Sequence, residues 1–68
     1  MYLQVEVKGF DGVCILINVN EIIMVEEHLI MDANKVFMKN GETFRVDNVN
    51  YDKIKDAMKR CHLWSSAN

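Results

Sequence analysis

Proline is missing from all 68 positions, and glycine occurs only at Gly9, Gly12 and Gly41. No stretch rich in serine, glycine or charge of one sign marks a linker, repeat or low-complexity segment. Two cysteines, Cys14 and Cys61, are too few for a disulfide scaffold; both sit among apolar residues and read as reduced small hydrophobes. No apolar run approaches the roughly 20 residues of a membrane span. The first residues lack the basic-then-apolar order of a secretory signal, so the expected location is the cytoplasm. Catalytic motifs are missing too: no Gly-rich phosphate loop, no nucleophile elbow, no Cys-x-x-Cys and no His-Glu-x-x-His. These absences argue against an enzyme, and no cofactor or metal is expected.

What is present fits a globular chain: half the residues are apolar and 26% are charged. The length allows one domain, expected over residues 1–64 with 65–68 as a frayed tail. A chain this short buries only about 60% of its unfolded surface, so its stability is modest unless a partner covers more. The net charge of −2 hides an asymmetry. Residues 1–34 hold one base against six acids, and residues 35–68 hold seven bases against four acids. Such a dipole suits a polyanion at one end or a second copy head to tail, although the halves can simply neutralise each other within one fold.

Val36-Phe37-Met38-Lys39-Asn40-Gly41-Glu42-Thr43-Phe44-Arg45-Val46 is the organising stretch, two alternating runs around an Asn-Gly hairpin signal. A two-residue turn would pair Phe37 with Phe44. A three-residue loop with Gly41 left-handed shifts the register by one and puts Val36, Met38, Phe44 and Val46 on one face with no charge among them. The second closure gives the cleaner partition and is the expected one. It leaves Phe37 on the polar face.

Upstream, Leu3, Val5 and Val7 alternate with Tyr2, Gln4, Glu6 and Lys8 as a half-buried strand. Gly9-Phe10-Asp11-Gly12 is a turn. Val13 to Ile17 is apolar at every position, which requires cover on both faces from the same chain or from another subunit. Asn18 to Glu21 reads as a corner or helical turn capped by Asn20. The third strand spans Ile22 to Glu27, with Ile23 and Val25 expected on one face. Leu29-Ile30-Met31 in the next connection is unusually apolar for a loop, and is expected to extend the strand or fold over something. Beyond Val46 the period changes: Tyr51, Ile54, Ala57, Met58, Cys61 and Trp64 form an amphipathic helix stripe, with Asn50 as the expected N-cap and Asp52 in the first turn. The expected fold is α+β: a five-stranded antiparallel meander, as a curved sheet or small barrel, with one C-terminal amphipathic helix.

Ile17-Asn18-Val19-Asn20-Glu21-Ile22-Ile23-Met24-Val25-Glu26, then Val36 to Glu42, then Val46 and an acidic-capped helix, together resemble the small flagellar FlbD/SwrD-like proteins. The likeness spans roughly residues 5–60 and rests on structural motifs. It implies a strand pair, an Asn-containing corner, a hairpin and a terminal helix in a small bacterial protein. Lys39 and Glu42 around the Asn-Gly pair, and extra residues before the hairpin and before the helix, depart from that pattern. Ile17 to Glu27 is also similar to the start of a LytTR-type DNA-binding domain, a longer family whose remaining strands have no counterpart after Arg60.

Four weak chemical candidates can be set against plainer readings. Glu26, Glu27 and His28 offer a carboxylate–imidazole pair, but strand neighbours point apart, so a solvated strand end is expected. Cys14 with Cys61-His62 offers soft metal ligands, but adjacent helix residues diverge by about 100°. Lys53, Lys55, Lys59 and Arg60 could track the phosphates of a nucleic acid, with Asp52 and Asp56 interrupting them. A small-ligand pocket at a dimer seam is a further class.

The strongest feature is surplus apolar surface: Cys14, Leu16, Phe37 and Leu29-Ile30-Met31 exceed what one helix can cover. The expected function is therefore a non-enzymatic accessory module of bacterial or phage type. It acts by protein–protein contact through Leu29, Ile30, Met31 and Phe37, with itself as the first partner.

Overall fold

The computed structural model describes residues 1–64, so the expected fraying of 65–68 lies outside the described residues. Five strands and one helix follow in order: β1 (Tyr2–Glu6), β2 (Cys14–Asn18), β3 (Ile22–Glu26), β4 (Asn34–Met38), β5 (Thr43–Val46) and α1 (Asn48–Arg60). The class is α+β, as expected. The single five-stranded meander is not formed, and neither is a closed barrel. β1 and β2 make a two-stranded antiparallel sheet, and β3, β4 and β5 a separate three-stranded one.

The break has a local cause. Between β2 and β3 a single 3-10 turn spans Val19–Glu21, capped by the side chain of Asn18, which accepts from the backbone N–H of Asn20 at 3.0 Å. Asn20 is therefore the capped residue and not the cap. The turn drives Val19 into the core with none of its surface exposed, and redirects the chain so that β3 pairs with β4 alone. A backbone bond from Lys8 N–H to the Arg45 carbonyl (2.8 Å) ties the two sheets together, while Lys39 N–H to the Glu21 carbonyl (2.8 Å) continues the β3–β4 ladder by one rung.

The hairpin closes by the bulged route. Phe37 pairs with Thr43 and Val36 with Phe44, while Met38 and Glu42 are joined by a 2.9 Å backbone bond around Lys39-Asn40-Gly41. Val36, Met38 and Val46 are buried, and Phe44 packs against them half-buried. Gly41 has φ +91°, which a side chain resists, and a Cβ there would meet nothing within 4 Å. Gly41→Ala should thus cost about 1–2 kcal/mol through backbone strain alone, read as a lower urea midpoint with an unchanged slope.

β3 departs from the expected alternation. A bulge lies between Ile22 and Met24, so Ile22 opposes Met38 but Met24 opposes Phe37. Ile22 and Val25 then face the core, and Ile23 is turned out to 61% exposure.

The helix stripe packs as the spacing predicts as far as Met58; α1 ends at Arg60, so Cys61 is its C-cap and Trp64 reaches the core from beyond a left-handed His62 (φ +58°). Tyr51, Ile54, Ala57 and Met58 are buried against Val5, Ile17, Val19, Val36 and Val46, with Cys61 and Trp64 half-buried beside them. The cap is one turn earlier than expected. Asp47 is the N-cap, accepting from the Asn50 backbone N–H at 2.8 Å and from its side-chain amide at 2.9 Å. Asn50 turns its own Oδ1 to the Glu6 N–H at 3.2 Å, joining the helix start to β1. No acidic residue stands in the first turn.

Those hydrogen bonds, first the one from the Asn50 backbone, hold the Asp47 carboxyl below its usual range. Its contribution is complete above the unfolded-state value and is lost as pH falls through the depressed folded value. Asp47→Ala should lower stability near neutral pH by about 1 kcal/mol. Asp47→Asn, which can still cap, should instead mainly flatten the acid limb of stability against pH. Thermal melts across the carboxylate range distinguish the two.

Candidate protein-interaction surface

Leu29, Ile30 and Met31 neither extend β3 nor fold over another element. They occupy a compact turn between β3 and β4, and are 51%, 102% and 72% exposed. Short backbone bonds close the turn: Met31 N–H to the His28 carbonyl (3.1 Å), Asp32 N–H to that of Leu29 (3.3 Å) and Ala33 N–H to that of His28 (3.4 Å). Asp32 adopts φ +53°, a left-handed conformation its short polar side chain tolerates.

The polar residues around the apolar trio hold the turn against the start of α1. Asn34 is fully buried; its Oδ1 accepts from the His28 N–H at 2.9 Å, and its amide donates to the Asn48 Oδ1 at 2.9 Å and to the Val46 carbonyl at 3.4 Å. Asn48 in turn donates its side-chain amide to the Leu29 carbonyl at 2.9 Å and its backbone N–H to the Asp32 carboxylate at 2.6 Å. The Tyr51 hydroxyl donates to the Glu27 carboxylate just before the turn. Burial, and then this carboxylate, push the Tyr51 hydroxyl well above its ordinary pKa. Arg45 donates to the Ala33 carbonyl at 3.2 Å, and Lys8 lies 3.4 Å from Asp32. The result is a fixed turn that carries three apolar side chains in water.

Phe37 lies elsewhere, on the outward face of the three-stranded sheet. It shares a rung with Met24 and Thr43, and the Lys35 ammonium sits 5.2 Å from its ring centre. It is half-buried, with Met24 47% exposed beside it. The next outward rung, Glu26–Lys35–Arg45, is charged and lies between Phe37 and the turn. The fourth expected residue therefore belongs to a second apolar patch, with Met24. Alternation along β3 already puts Met24 on the outer face with Glu26; what the sequence does not show is that Phe37 is its cross-strand partner. A third exposed group, Tyr2 and Leu16 (each 67%) with Cys14, forms the outer face of β1–β2. The double cover anticipated for β2 is thus absent within the chain.

Three of the four basic residues of α1 are already engaged. Lys53 donates to the Gln4 carbonyl at 2.9 Å, and Lys55 sits 5.8 Å and 5.3 Å from the Tyr51 and Trp64 ring centres. Arg60 pairs with Asp56 at 3.1 Å, while Lys59 makes no ion pair among the described residues. Glu26 and His28, two residues apart, do meet, at 2.6 Å and largely in solvent. The His28 hydrogen bond is the main cause of a lowered Glu26 pKa. Cys14 lies on the exposed face of β2, whereas Cys61 packs against the core. No group of three or more candidate metal ligands is gathered among the described residues. No helix of the described chain is long and apolar enough to cross a membrane. In comparisons of this chain with known proteins, no family model, curated protein or solved structure matches.

Proposed function

We propose that this chain is a small non-enzymatic accessory module, working in the cytoplasm of a bacterium or phage-infected cell by contact with another protein, first of all a second copy of itself. One observation carries the reading: Leu29, Ile30 and Met31 stand exposed on a turn whose backbone is fixed by Asn34, Asn48 and Asp32. A loop with no binding task gains nothing from three consecutive apolar side chains in water, and such groups mark contact surfaces. Fixing the turn in advance lowers the entropic cost of association, because little conformational freedom remains to be lost on binding. The resemblance to the FlbD/SwrD-like flagellar proteins supports a bacterial accessory role.

A stable pair buries about 800 Å² per partner, more than three side chains supply. The contact therefore includes neighbours of the turn, and the Met24–Phe37 patch is the apolar area on the adjoining sheet face. Sedimentation equilibrium over a range of concentrations tests the reading: a dimer at tens of micromolar supports it, and a monomer throughout overturns self-association.

A further inference from the structure

The two sheets meet at a second, chemically different place. Beside the Lys8–Arg45 backbone bond lies a cleft of about 320 Å³, whose walls include Lys8, Lys35, Arg45, Phe10, Phe44 and Thr43. Its three charged wall residues are all cations, a local reversal in a chain of net charge −2. Lys35 and Arg45 are direct cross-strand partners on the outward face. Like charges placed opposite each other destabilise a sheet, and an anion between them relieves that repulsion.

Acids lie near the cleft without lining it. Asp32 is 3.4 Å from Lys8 in a partly exposed pair, Glu26 is opposite Lys35 and engaged with His28, and Asp47 caps the helix. The Arg45 guanidinium also donates to the Ala33 carbonyl at 3.2 Å and the Lys35 ammonium lies 5.2 Å from the Phe37 ring centre. Solvent-exposed contacts of this kind hold their cations weakly and yield to a better-placed anion.

At the cleft is Phe10, 64% exposed in the turn between β1 and β2. Gly9 (φ +94°) and Gly12 (φ +76°) allow the tight path that presents it. The basic side of α1 offers no free aromatic face, since Tyr51 is buried and Lys55 sits over the rings of Tyr51 and Trp64; at the cleft, cations lie beside an exposed ring. Together they recognise a phosphate attached to a flat ring. The volume is at the small end of ligand sites, the size of one such unit.

We propose that this cleft binds one nucleotide unit, with its phosphate among Lys8, Lys35 and Arg45 and its base stacked on Phe10. The unit comes either free or as part of a single strand.

Amide chemical shifts of the whole chain, followed at low salt during titration with uridine monophosphate, a single-stranded oligouridine and inorganic phosphate, test this. The expected result is saturable shifts around residues 8–10, 35 and 43–45 with both nucleotides. Phe10→Ala should weaken binding roughly tenfold. Lys35→Gln combined with Arg45→Gln should weaken it further and flatten its salt dependence. Tighter binding of the oligouridine identifies a strand as the source, and equal binding identifies a free nucleotide. If either variant fails to fold, Lys8→Gln serves in its place. The proposal is overturned if neither nucleotide binds at millimolar concentration or if inorganic phosphate binds as tightly. Loss of the Phe10→Ala effect, or shifts confined to the outer face of α1, also overturns it.

Discussion

Asn34→Ala should remove about 2–4 kcal/mol of stability, from a total that for a chain of this length is on the order of 3–10 kcal/mol. Asn34 has no exposed surface and serves three partners: the His28 N–H, the Val46 carbonyl and the Asn48 side chain. Truncation removes all three bonds at a fully buried position, and an unsatisfied buried polar group costs more than a hydrogen bond contributes. The loss should show in the urea midpoint. It should also appear locally, as faster amide exchange over residues 28–33 well below the denaturation midpoint, because the turn has lost its tie to α1. Asn34→Asp should not rescue the fold, since a carboxylate keeps the acceptor for His28 but loses both donors and adds a buried charge. A change within about 0.5 kcal/mol for Asn34→Ala, the range of an ordinary surface site, would show that the turn is not held in this way.

Ile30→Asp should weaken self-association by roughly 30- to 1000-fold, the range of a hot-spot residue worth about 2–4 kcal/mol. The side chain is wholly exposed, so its replacement removes no contact within the chain. A charge carried into an apolar contact must lose its water without gaining a partner. Stability of the isolated chain should stay within about 0.5 kcal/mol. Leu29→Ser and Met31→Ser should act in the same direction with smaller effects, being neighbours on the same turn. Phe37→Ser separates the two patches: it weakens association only if the contact extends from the turn across the Glu26–Lys35–Arg45 rung. Sedimentation for association and thermal melts for stability keep the two readouts apart. Unfolding by any of the three turn variants would mean that those side chains belong to the core.

The parts of this architecture that were legible in the sequence are those written in periodic patterns. The register of the β4–β5 hairpin follows from charge-free partition of its faces, and the α1 stripe from spacings of three and four. The parts that were not legible depend on single residues whose roles are set by distant partners. Val19 reads as one apolar residue among asparagines, yet its burial turns the corner that splits the sheet in two. One extra residue at Ile23 reverses the facing of the start of β3. Asp47 and Asn50 are both good caps, and the choice between them is made by Glu6, forty-four positions away, which takes the Asn50 oxygen. The candidate surface divides in the same way. Local sequence shows that Leu29-Ile30-Met31 is too apolar for its place, but not that Asn34 and Asn48 lock it open, because their partners come from three separate elements.

The turn as the contact surface is tested most directly by amide hydrogen exchange at low and at high protein concentration. Exchange should slow with concentration over residues 28–33, and spread to β3 and β4 if the Met24–Phe37 patch joins the contact. Concentration-independent exchange at the turn, or slowing confined to the Tyr2–Leu16 face of β1–β2, would contradict the account.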